Sequence, residues 1–383
     1  MTGFSSKARV VLRPVKRAVA SRRLGLARRG ERRAVLIVSG PGGFGRLYRG
    51  DHRVAQLRAA GVAADVCYRT DVRLVPLAER YRCIVLYRVE WDDEVAALVA
   101  GAASAHCRVI CDFDDLVFDP ARIDLLRGIS AMNAEARTAF IDSVARQRQT
   151  LEACGAATVA TKPLAAEAAQ VAANVAVVAN CVTAEMIARS DAARAAARPR
   201  RRIRIGYLSG TPTHQADFEE TAGALVRLLD RRADVEFVGV GFLELDERFA
   251  GRRALREPYR HPHELPALLA TLDVNLAPLE RGNAFTDCKT CIKYLEAGLV
   301  GVPTIASPRP DFARAMRNGE NGLLADSPQE WEEALSRLVE DADLRRALGG
   351  VAREDVLTRH TARATAESAL QSLEGLLTDL RGD

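Results

Sequence analysis

Two runs of short β-branched segments alternating with longer helix-patterned ones constrain this chain more than any other feature. In the first run "AVLIV", "ADVCY", "CIVLYRV", "RVICDF", "ATVAT" and "VAVVANCV" are separated by stretches such as "YRGDHRVAQLRAAG", whose apolar residues recur at helical spacing. The second run opens with "IRIGYLSG" and continues through "VEFVGVG", "DVNLAPL", "VPTIAS" and "GLLAD". Parallel strands need long crossover connections, so this alternation predicts parallel sheets covered by helices on both faces. Between the runs, "MIARSDAARAAARPRRR" has no apolar stripe long enough for a core and reads as a linker or an exposed helix. The expectation is an α/β chain of two Rossmann-like domains facing each other across a cleft. The boundaries are a basic arm 1–33, a first domain 34–185, a linker 186–202, a second domain 203–355 and closing helices 356–383. A length of 383 residues suits two cores of ordinary size.

Charge divides the arm from the body. The first 33 residues hold eleven Lys or Arg against one acid, Glu31, so with a net charge of +5 the other 350 residues sum to about −5. A mildly acidic body excludes a nucleic-acid-binding one. Arg9, Arg13, Lys16, Arg17, Arg22 and Arg23 surround Val11, Leu12, Val15 and Val19, a composition that suits an anionic bilayer surface or a domain-docking arm. The eight cysteines show no disulfide-framework spacing and no secretory apolar region precedes them, which fits a reducing cytoplasm, with the arm placing the chain on the inner membrane face. Cys288 and Cys291 form C-x-x-C without a second pair at zinc-ribbon distance, so no metal is expected there.

The first strand breaks into "SGPGGFGRLYRG", where Gly40, Gly42 and Gly45 satisfy G-x-G-x-x-G. A dinucleotide site needs an acid closing the second strand. Asp65 lies twenty residues after Gly45 but starts that strand instead of ending it. The residues alone leave open a tight turn, a loop letting backbone approach a phosphate or sugar, and a dinucleotide cradle.

The stretch from Asp273 to Leu335 carries most of the chemistry. After a strand ending at Pro278, a polar loop holds Asn283, and a helix is expected to start at Thr286 or Asp287 as cap. That start places Lys289 and Thr290 in the first turn, Lys293 one turn on and Glu296 three residues later. A helix N-terminus with a lysine beside it suits a diphosphate, and a carboxylate further along can accept both hydroxyls of a ribose. A solvated charged helix face would show the same residues.

"EAGLVGVPTIAS" and "RNGENGLLADSPQEWEEAL" resemble the C-terminal domain of GT-B glycosyltransferases, in particular retaining family 4, and "VAVVANCV" is similar to the strand and Asn that end their N-terminal domain. The resemblance implies a transferase with no cofactor and no metal requirement, using a nucleotide sugar as co-substrate and a glycan, lipid-linked or small-molecule acceptor, in cell-surface polysaccharide or glycoconjugate synthesis. It implies that Glu296 binds the ribose. Cys288 stands where the family has a first glutamate, with Asp287 beside it as a substitute. Ser209, Gly210, Thr211 and His214 occupy a loop where many members carry an Arg and a Lys, which leaves the cationic role to Lys289. Gly42 and Gly43 match a loop that lines the cleft, and this selects the cleft-wall reading of the glycines.

"RVICDFDDLVFD" ends the fourth strand in Asp112, Asp114 and Asp115, carboxylates that repel one another unless something positive arrives. Acceptor binding or stabilisation of an oxocarbenium-like state is the role the resemblance implies; helix capping and a Mg²⁺ or Mn²⁺ site are the alternatives. Arg88 and Glu90 follow the third strand as acceptor-side candidates. A weakly catalytic sugar-nucleotide-binding partner of a synthase and an epimerase of the same fold are the rival functions.

Overall fold

A computed structural model describes residues 25–377. The basic arm up to residue 24, with the membrane contact expected of it, lies outside the described residues, as do residues 378–383.

The expected two-sheet α/β architecture is present. β1 (Arg33–Ser39), β2 (Ala64–Tyr68), β3 (Tyr81–Tyr87), β4 (Arg108–Phe113), β5 (Ala156–Val159) and β6 (Asn174–Val177) form one parallel sheet in the order β2-β1-β3-β4-β5-β6. β7 (Ile203–Ser209), β8 (Val235–Gly241), β9 (Ala254–Glu257), β10 (Val274–Ala277), β11 (Thr304–Ala306) and β12 (Leu323–Leu324) form the second, in the order β12-β11-β10-β7-β8-β9. Val35 to Ser39 are all buried, the continuous burial of a parallel strand covered on both faces. Sequence patterning misses β9, "ALRE", an edge strand whose middle residues are exposed. The segment read as linker opens as the helix Ala184–Ala196, capped by the Thr183 side chain and packed against the helix Leu265–Leu269.

Strand order reverses between β1 and β3 in one sheet and between β7 and β10 in the other. At such points adjacent crossovers leave to opposite faces and open a crevice at the carboxyl ends of the strands. Two segments tie the domains together. Asn283 to Cys288 reaches from the second domain into the first, where Phe285 and Cys288 join the core built by Leu126, Ile129 and Val159. The helix Ala366–Glu374 crosses back to bury Leu370 and Leu373 against Val35, Ile37 and Leu57.

Candidate functional site between the two sheets

The glycine loop after β1 is shaped by close packing. A Cβ on Gly40 would lie 2.2 Å from the Arg88 carbonyl oxygen, and one on Gly45 would lie 2.7 Å from the Tyr87 hydroxyl, whereas Gly42 has only a distant Tyr68 ring atom at 3.9 Å. Gly43 takes φ 62°, which favours glycine, and starts a helical run of Phe44–Arg46, a π-helical turn Leu47–Asp51 and His52–Ala59. Asp65 is buried, ion-paired with Arg33 at 2.7 Å and accepts a hydrogen bond from Tyr81, so it supports the strand. Gly42 and Gly43 are exposed at the rim. This corrects their assignment to the donor: the wall of the cavity begins with Phe44 and Gly45.

The cavity between the two crevices measures about 230 Å³. The second domain contributes Ser209, Gly210, Thr211, His214, Lys289, Thr290, Lys293 and Glu296 to it. The helix begins later than the sequence suggests. Asn283 caps a short turn Ala284–Asp287, and the helix proper runs Ile292–Leu299 behind Cys291. Neither Thr286 nor Asp287 is a cap, and Lys289 precedes the helix, while Lys293 falls in its first turn. Glu296 is only 7% exposed, and burial pushes its carboxyl up to about 7 although Tyr48 and Lys293 pull the other way. Lys293 sits 4.0 Å from the Tyr207 ring centroid, and burial pushes its ammonium down to about 8. The Ser209 hydroxyl donates to the Thr211 carbonyl at 2.9 Å, and His214 Nδ1 lies 2.8 Å from Asp217, so the loop's polar groups are held while Gly210 leaves its surface open. Burial lowers His214, with Asp217 opposing.

Two donor-side assignments are corrected. Asn283 donates to the Leu125 carbonyl at 2.8 Å and to Glu280, locking the domain junction, and does not line the cavity. Asp287 faces Arg309 at 3.8 Å outside the cavity. Cys288 is buried in the first domain's core, its carbonyl accepting from Thr161.

The acidic cluster splits. Asp112, 1% exposed, forms a two-point ion pair with Arg49 at 2.6 and 2.8 Å and accepts from Thr158, so its assignment as a reacting group is corrected to a buried structural one. Arg49 continues to Asn180, which donates to Thr290 across the cleft at 3.4 Å. Asp114 and Asp115 do line the cavity. Burial raises Asp114, which accepts from Tyr87 at 2.9 Å and pairs with Arg88 at 3.1 Å. Burial acts the same way on Asp115, but Lys289 at 2.9 Å and Arg88 at 3.0 Å hold it well below the usual carboxylate range. Arg88 therefore neutralises the pair from behind, on a backbone at φ 48°, instead of facing the cavity. Glu90 is bound to Ser143 and Arg146 away from the cavity, which corrects its acceptor-side assignment.

Sequence reasoning missed Tyr48, and it noted Asn180 only as the Asn ending "VAVVANCV", with no contact to the second domain. Tyr48 donates a hydrogen bond to Glu296, linking the first domain to the second. The aromatic rim was also missed: Tyr259 lies edge-on to Phe44 at 5.9 Å and near Phe242 at 5.6 Å, joining both domains at the cavity mouth.

Cations and a helix start on one wall, two carboxylates on the other and aromatic rings at the mouth suit an anionic, sugar-bearing ligand. Residues 221–371 match the glycosyl transferase-like family. A D-inositol 3-phosphate glycosyltransferase of Corynebacterium urealyticum is 31% identical over 141 residues, 36% of this chain and 30% of that protein. Its counterpart in Paenarthrobacter aurescens is 34% identical over 92 residues, 23% of this chain and 22% of that one. The chain thus aligns with less than a third of either relative. Among solved structures, Anabaena HepE in complex with UDP and glucose superposes with a TM-score of 0.58 at 12% identity, covering 89% of this chain and 99% of that one. Sucrose-phosphate synthase of Thermosynechococcus elongatus gives 0.60 at 15%, covering 90% and 99%. These superpositions show the GT-B fold.

Proposed function

We propose, from the chain's place among the group 1 glycosyltransferases of GT-B fold, that it moves a sugar from a nucleotide-sugar donor to a hydroxyl acceptor. The observation that carries this reading is the single cavity in which Glu296, Lys289 and Lys293 of one domain meet Asp114 and Asp115 of the other. In this reading Glu296 accepts the ribose hydroxyls, Lys289, Thr290 and the amides opening the helix Ile292–Leu299 take the diphosphate, and the aromatic rim takes the base. Ser209, Gly210 and Thr211 form the wall beside the phosphates, with His214 behind them.

Asp114 and Asp115 face the reacting carbon or the acceptor hydroxyl. Their charge is met by Arg88 and Lys289, so the reading requires no metal bridge. The donor's anomeric C–O bond breaks as the acceptor oxygen bonds to the same carbon. The acceptor proton passes to an oxygen of the departing diphosphate, on the face the leaving group vacates, which retains configuration. A glycan or lipid-linked acceptor fits the reading, with a place in surface glycoconjugate synthesis and the basic arm meeting the inner face of a membrane.

The test is release of nucleoside diphosphate from UDP-, GDP-, ADP- and dTDP-sugars with acceptor glycans present, with NMR of the anomeric proton in the product. Turnover unaffected by EDTA and an unchanged anomeric configuration support the reading. Binding without transfer to any acceptor favours the synthase-partner alternative.

A further inference from the structure

We propose that Tyr48 is a positioning residue of the donor site, reaching from the first domain to hold one oxygen of Glu296 so that the other receives the ribose. The inference rests on the reading of Glu296 as the ribose ligand.

Tyr48 is fixed before it reaches Glu296. Its ring stacks with Phe44 at 6.4 Å and meets the edge of His52 at 4.9 Å, while His52 Nδ1 is engaged at 2.8 Å by the Cys181 carbonyl. It sits in the π-helical turn Leu47–Asp51, from which Tyr48 faces the cleft while Arg49 enters the core. Both partners of the Tyr48–Glu296 bond are buried at the cavity wall, where a hydrogen bond is stronger than in water.

The bond has a chemical consequence beyond joining domains. A buried carboxyl favours its neutral form, and a neutral carboxyl accepts hydroxyl hydrogen bonds less strongly than a carboxylate. The groups that pull Glu296 toward ionisation are the Tyr48 hydroxyl and Lys293, which in turn faces Asp217 and Lys289. Tyr48 therefore favours the ionised form of Glu296 and fixes one of its oxygens from across the domain junction.

The experiment is calorimetric titration of UDP, GDP, ADP and dTDP into the full chain between pH 6 and pH 9, repeated on Tyr48→Phe and Glu296→Gln. The nucleotide that binds the wild type is carried through the series. Wild-type affinity is expected to rise from pH 6 to pH 8 as Glu296 ionises. Tyr48→Phe is expected to bind five- to tenfold more weakly at pH 7, with the midpoint of the rise moved to higher pH. Lys293 loses charge in the same window in both proteins, so the shift between profiles is the readout. Inorganic pyrophosphate, which has no ribose, should bind both proteins alike. A Tyr48→Phe profile matching the wild type, or tighter binding showing that Tyr48 competes with ribose, overturns the inference while leaving the donor reading standing. Wild-type affinity in Glu296→Gln overturns the donor reading, and this inference falls with it.

Discussion

Lys289 Nζ lies 2.9 Å from Asp115 Oδ1, an ion pair that joins the two domains across the cavity. The cation assigned to the donor diphosphate thus already has a carboxylate partner, and a diphosphate must compete with it. Asp115→Asn should tighten nucleoside diphosphate binding about threefold, a modest gain because both side chains are partly exposed. Turnover should fall, since the proposed function sets the same carboxylate toward the reacting carbon or the acceptor hydroxyl. Calorimetry and initial rates on the one variant read both effects.

Asp112 and Asp114, two residues apart, should respond differently. Asp112→Asn breaks a buried ion pair and leaves Arg49 without its partner, a change that costs about 3–5 kcal/mol. The melting temperature should drop sharply while the remaining folded protein keeps its nucleotide affinity. Asp114→Asn should lower kcat about 100-fold, as loss of a group serving the transition state does, with melting nearly unchanged because Arg88 keeps Asp115.

The glycine loop offers a contrast between packing and openness. Gly40→Ala drives a methyl against the Arg88 carbonyl and should cost about 1–3 kcal/mol by overpacking, whereas Gly42→Ala meets open space and should be near neutral. Urea unfolding of the two variants checks this. Equal stability of both would mean that the loop does not depend on the approach to Arg88.

The helix Ala366–Glu374 belongs to the first domain's core although it follows the second in sequence. Leu370→Ala should cost about 2–5 kcal/mol. Hydrogen exchange should show the loss as increased opening of β1 and the helix His52–Ala59, with the second sheet less affected.

Strand alternation made both sheets legible, because parallel strands covered on two faces must be written in β-branched runs; β9, at an edge and half charged, carries no such mark. Lys293 and Glu296 were legible because helical spacing fixes their order on one element, and Lys289 stands just ahead of it in sequence. Their exact setting was not: Thr286 and Asp287 look like caps, but Asn283 and Cys291 open the two helical pieces. Asp112, Asp114 and Asp115 look alike in sequence and were separated only by what stands behind them, Arg49 for the first and Arg88 for the others. Tyr48 and Asn180 act across the domain junction, and local patterning holds no record of such a contact.

The proposed function depends most directly on Glu296 accepting the ribose hydroxyls. The decisive measurement is calorimetric titration of UDP, GDP, ADP and dTDP into wild type and Glu296→Ala at pH 8, where the carboxyl, with its midpoint near 7, is largely ionised. Loss of charge-assisted hydrogen bonds worth roughly 1.5–3 kcal/mol each predicts at least tenfold weaker binding of the nucleotide that binds the wild type, with the melting temperature showing an intact fold. Unchanged affinity in Glu296→Ala, or no binding of any of the four nucleotides to the wild type, would contradict it.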